Sequence, residues 1–263
     1  MLNKLLKYDL KYMVKNMSVF YILAIFFAIT TRILFSLDQS FIVHVMGQIS
    51  VGCMFAMVAN ILINVMMRSW VRFRDSIYKD ESYLTHTLPV TKNDIYNSKF
   101  LLTLIFFLVS FVIMIISLFI TYYTEERWLL VKGFVNTLTT GLDFNTTLFV
   151  VSMFIIIFLE VFNAIQCGFL GIILGYRRNN NKLGFSIFYG FIAYLVAQTL
   201  VLFLTFIVGL FDPDIMNLFR NNVALDSSSF KIFVALAIIL YLVIISVMKL
   251  LCTKTFSKGV NVE

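Results

Sequence analysis

Residues 100–123 read FLLTLIFFLVSFVIMIISLFITYY, without a charge or a proline. A helix needs roughly 20 consecutive apolar residues to cross a hydrocarbon core, and this run supplies them. Five more runs share its character: Ser18–Leu37, Ile42–Met67, Leu148–Tyr176, Leu183–Phe211 and Phe230–Cys252. Each is longer than a buried core helix requires and is bounded by charged or turn residues. The second and fourth are long enough to predict tilt or a helical extension beyond the bilayer.

Composition agrees with this pattern. The chain is 60% hydrophobic and 13% charged, with mean hydropathy +0.93, against about 45–50% apolar and about 25% charged for a soluble domain. Both prolines lie outside the apolar runs, so no proline kink is expected. Cys53, Cys167 and Cys252 all fall in apolar runs without CxxC spacing. They read as small hydrophobes rather than disulfides or zinc ligands. The fold expected is all-α: a polytopic membrane protein of six transmembrane helices, forming a single membrane domain over residues 1–263.

The net charge of +7 points to a membrane surface and not to nucleic acid, because of where the charges sit. One side of the proposed topology carries Lys4, Lys7, Lys11, Lys15, Arg68, Arg72, Arg74, Lys79, Lys92, Lys99, Arg177, Arg178, Lys182, Lys249, Lys254 and Lys258. The other carries Arg127, Lys132, Arg220 and Lys231. Arg32 lies inside the first run, near its outer end, where it is expected to snorkel. Positive loops stay inside, so both termini are expected in the cytoplasm, with the chain in the cell membrane. The N-terminus lacks the compact apolar core and cleavage site of a signal peptide. Leu2, Leu5, Leu6, Leu10, Met13, Val14 and Met17 recur at helical spacing among the lysines. That pattern predicts an amphipathic helix over residues 1–17, lying on the cytoplasmic leaflet ahead of the first span.

No GxxxxGK[ST], GxSxG or HExxH motif occurs. His44 and His86 fall in different compartments, which argues against a metal site. The chain is expected to be no enzyme and to hold no cofactor. The largest cytoplasmic segment, residues 68–99, is too short for an ATPase domain, which needs roughly 50 residues or more. Within it, Asp80 and Glu81 are acidic on a basic side, and Tyr83, Leu84, Leu88 and Val90 suggest a small apolar cluster. Pro89 ends one element. Thr91 and Asp94 read as an N-cap and its third helical position, so the third span should start as a helix before it enters lipid near Phe100.

The stretch from Lys79 to Val90, KDESYLTHTLPV, with Ser98-Lys99 beyond it, resembles the segment between spans two and three in permease subunits of type-2 ABC transporters. The basic amphipathic start, the six spans and the short tail from Lys258 to Glu263 are similar to that family in layout. Lys79 stands where such permeases often have a small residue such as Gly. The resemblance implies a separate cytoplasmic ABC ATPase subunit that carries ATP and Mg. It also implies a second permease chain, identical or not, in a working unit of two permeases and two ATPases. Residues 68–99 then become a coupling hairpin, with Asp80, Glu81, Tyr83, Leu84, Leu88 and Pro89 docking on the ATPase. The function implied is ATP-driven export of an antimicrobial or toxin-like amphipathic peptide, or of a drug or lipid. The competing readings are a non-transporting membrane assembly or immunity subunit, and a secondary transporter. The latter usually shows repeats or broken helices, and neither is evident here.

Glu160 is the only acidic residue deep in a span, and an intramembrane carboxylate is costly enough to be functional by default. Glu160, Asn163, Ala164, Cys167 and Gly171 share one helical face. Gly171 and Gly175 form a GxxxG pattern suited to close helix contact. Two readings stay open: a translocation route, or a packed interface, including one between two permeases. Tyr194, Gln198 and Thr205 form a weaker polar stripe of the same kind.

Overall fold

The computed structural model describes residues 2–37, 40–79, 81–87, 89–123, 125–140, 145–211, 215–216 and 227–258. The regular elements are all helical: α1 Leu2–Ser36, α2 Phe41–Tyr78, α3 Ser82–Thr87, α4 Lys92–Tyr122, α5 Glu125–Thr140, α6 Thr146–Gly175, α7 Lys182–Gly209 and α8 Ser227–Ser257. No strand occurs among the described residues. Among those residues six helices, α1, α2, α4, α6, α7 and α8, are long and apolar enough to cross a membrane. This is the layout of a multi-pass membrane protein.

Each apolar run of the sequence lies almost wholly within one of these six helices. The helices run further than the apolarity does, because backbone hydrogen bonding continues where side chains turn polar. α2 is the clearest case. Its 38 residues span about 57 Å at 1.5 Å per residue, nearly twice a hydrocarbon core of about 30 Å. The excess is the stretch from Arg68 to Tyr78. The starts are fixed by side-chain caps: Ser40 accepts from Val43 N, Thr91 from Asp94 N and Asn145 from Thr147 N. The Thr91–Asp94 pair behaves as its spacing predicts, the Thr91 hydroxyl also donating to Asp94 Oδ2 at 2.7 Å.

Two elements differ from expectation. Residues 2–17 and the first span form one uninterrupted helix. Asp9, Met13, Met17, Ala24, Ala28 and Thr31 make a single buried stripe along it, so the inner face of the first half meets protein. Val14, assigned to the apolar stripe, is 55% exposed. The second difference is α5. It is a helix between the third and fourth apolar runs that the sequence reading does not single out, and its Leu129 and Phe134 side chains are exposed.

The contacts fall into two compact units, Met1–Leu129 and Leu130–Glu263. In the first, α1 packs on α2 and α4, α2 packs on α4, and α3 lies against α2. Its apolar centre is Ala24, Ile61 and Met114, ringed by Phe20, Tyr21, Met57 and Phe111. Polar pairs cross it: Tyr21 Oη and Ser110 Oγ at 2.6 Å, and Thr31 Oγ1 and Ser50 Oγ at 2.8 Å. In the second unit α6 packs on α7 and α8. Cys167, Ala197, Ile244 and Met248 form the centre, which gives Cys167 the role of a small buried hydrophobe. Gly171 sets the α6–α7 spacing. A Cβ there would stand 2.5 Å from Gly190 Cα and from Ser186 O, so the two backbones touch where the GxxxG pattern lies.

Candidate functional site

The first unit holds a buried ionic cluster at the polar ends of its helices. Asp9 on α1 is 2% exposed. Its Oδ1 accepts from Arg72 Nε and Nη2, each at 2.7 Å, and its Oδ2 from Lys99 Nζ at 2.5 Å. Arg72 Nη1 reaches on to Glu81 Oε1 at 2.7 Å, and the guanidinium lies 4.6 Å from the Tyr12 ring centroid. Two cations and two carboxylates therefore balance. Both oxygens of Asp9 are used, which is what a buried ion pair requires if its desolvation is to be offset. The helix extension explains the position: α2 carries Arg72 beyond its apolar run, and α4 starts early enough to bring in Lys99. Phe73, 1% exposed, packs edge-on to fully buried Tyr96 beside them.

Glu81 opens α3, a six-residue helix between α2 and α4. Of the residues assigned to docking, Tyr83 and Leu84 are 67% and 73% exposed, Pro89 is exposed, and the Glu81 side chain is half exposed. Asp80 and Leu88 lie outside the described residues. Of the expected apolar cluster, Tyr83 and Leu84 are exposed and Val90 is half-buried, while Leu88 lies outside the described residues. The Glu81 carboxylate is held by Arg72 of the same chain.

The second unit holds the other constellation. Glu160 Oε1 accepts from Tyr194 Oη at 2.7 Å and from Gln198 Nε2 at 2.6 Å. The α6 and α7 polar stripes of the sequence thus meet at one carboxyl, and Tyr241 of α8 interacts with it as well. Thr205 is not part of this group; it bonds to Val201 O of its own helix. Asn163 and Cys167 are fully buried, with Cys167 Sγ 3.9 Å from Asn163 Oδ1. Gly171 is covered by α7.

Sequence reasoning found Glu160 but missed Asp9, which stands in a row of lysines and reads there as a surface charge. The available signal was its period: Asp9, Met13 and Met17 are four residues apart, on one face. Compared with known proteins, the chain matches no family model, no curated protein and no solved structure.

Proposed function

We propose that this chain is the permease subunit of an ATP-driven exporter of the type-2 ABC class. The observation that carries the reading is α3. A short helix outside the apolar part of the spans presents an aromatic and an aliphatic side chain outward, while Glu81, immediately before it, is fastened to Arg72 by charge. Exposed Tyr83 and Leu84 suit an apolar cleft on a partner. Glu81 links that surface through Arg72 to Asp9 and Lys99, and so to α1, α2 and α4. A partner that moves α3 therefore pulls on three helices together, which is what coupling to an ATPase needs.

In this reading ATP and Mg bind a separate cytoplasmic ATPase subunit, and a second permease chain completes the machine. The lysine and arginine distribution supports cytoplasmic termini and a cytoplasmic α3. Lys7, Lys11 and Lys15 are exposed and suit an anionic inner leaflet beside residues 1–17. The cargo class is an amphipathic peptide or drug, taken from the bilayer side. Glu160 and its partners either border the route or secure the packing of the second unit.

The test is co-purification. Tagged protein from the native membrane is expected to bring a cytoplasmic ATPase with it. Leu84→Asp, inserted to the wild-type level, is expected to lose that ATPase, because a charge buried unpaired at a contact costs several kcal/mol. Recovery of no ATPase by the wild type, or equal recovery by the variant, overturns the proposal.

A further inference from the structure

We propose that the turn between α6 and α7 binds the phosphate headgroup of an anionic phospholipid. The argument begins with charge. Among the described residues of the second unit, Glu160 is the only carboxylate, and it is engaged by Tyr194 and Gln198. The turn nevertheless carries Arg177 and Arg178, and Arg177 Nη2 donates to Thr255 O of α8. That bond brings the turn to the helix end that carries Lys254 and Lys258, both exposed. In the first unit, by comparison, Arg72, Arg74 and Lys99 have carboxylate partners. The second unit gathers positive charge and supplies no described carboxylate to meet it.

Geometry narrows the ligand. Arg178 is held in place by Tyr189, whose hydroxyl accepts from its Nε at 3.2 Å and its Nη2 at 2.8 Å. Its guanidinium lies 5.6 Å from the Phe185 ring centroid. These contacts leave Nη1 uncommitted on a fixed fork, the arrangement by which arginine takes phosphate oxygens. Beside it is an open hollow lined by Asn181, Gly184, Phe185 and Phe188. Phe188 is 55% exposed and the neighbouring Ile187 67%. A soluble anion would use Arg178 and leave these rings in water. A membrane lipid satisfies both, its phosphate on Arg178 and its glycerol and upper chain against the aromatic wall. Asn181 closes the turn in the left-handed region at φ 47° and starts α7 directly. This inference does not depend on the permease reading.

The experiment uses the full chain in detergent with equimolar phosphatidylglycerol and phosphatidylcholine, read by native mass spectrometry and by thermal melting. The wild type is expected to retain phosphatidylglycerol in preference and to melt higher with it. Arg178→Gln removes one charged hydrogen-bonding group and is expected to lower that retention about tenfold. Phe188→Gln keeps the cation, loses the apolar wall and is expected to lower it as well. Lys231→Gln, at the other end of α8, is expected to leave it unchanged. Equal retention of the two lipids by the wild type overturns the proposal whether or not the variants fold. Unchanged retention in Arg178→Gln does the same. Loss of the preference in millimolar inorganic phosphate reassigns the site to a free anion and also overturns it.

Discussion

At the scale of single residues, Asp9 carries more than its position suggests. It pairs with two cations that α2 and α4 bring into a buried site, Arg72 and Lys99, and balances them together with Glu81. Removing one member of a buried group leaves an uncompensated charge, which costs about 3–5 kcal/mol, whereas removing balanced partners together costs far less. Asp9→Asn is therefore expected to lower the stability of the solubilised protein by about that amount. Adding Lys99→Met to it should restore most of the loss, because Arg72 keeps Glu81. Denaturation of the single and double variants checks this; a double variant no more stable than Asp9→Asn would falsify the charge-balance account. Glu81→Gln should cost less than about 1 kcal/mol in the same assay, since half-exposed pairs contribute little.

At the scale of elements, the α6–α7 contact gives a sharp contrast between glycines. Gly171→Ala drives a Cβ into the α7 backbone, with contacts at 2.5 Å, so it is expected to destabilise the second unit. Gly190 faces the same contact, but a Cβ there meets nothing closer than 3.6 Å, so Gly190→Ala should be tolerated. Gly52→Ala in α2 meets nothing within 4 Å and should gain up to about 1 kcal/mol from helix propensity. Melting of the three variants separates the cases; a Gly171→Ala protein as stable as Gly190→Ala would refute the close approach. The elements themselves were legible because each span is a long uncharged run. Their ends were not, since the stretch from Arg68 to Tyr78 is polar by composition and helical by hydrogen bonding. Glu160 was legible as a lone acid in a span. The Asp9 cluster was not, because its partners are 63 and 90 residues away, and no local spacing encodes such a contact.

At the scale of the whole molecule, the uneven lysine and arginine distribution is the argument for orientation, and cysteine labelling in a cysteine-free background tests it. A cysteine at Asn145, which is exposed, is expected to react with an impermeant reagent in intact cells. Cysteines at Tyr83 and Asn180, also exposed, are expected to react only after the cells are opened. Ser82 is a poor reporter despite its place in the sequence, because it is fully buried. Labelling at Tyr83 in intact cells would invert the assignment. The Asp9 cluster also carries a schedule for biogenesis. Its carboxylate is synthesised 90 residues before Lys99, an interval of about 5–18 s at roughly 5–20 residues per second. For the first 63 residues of that interval the nascent first helix holds an acid with neither partner made, and for the rest it has Arg72 alone. The ionic seat of α1 can therefore be completed only once the start of α4 has emerged.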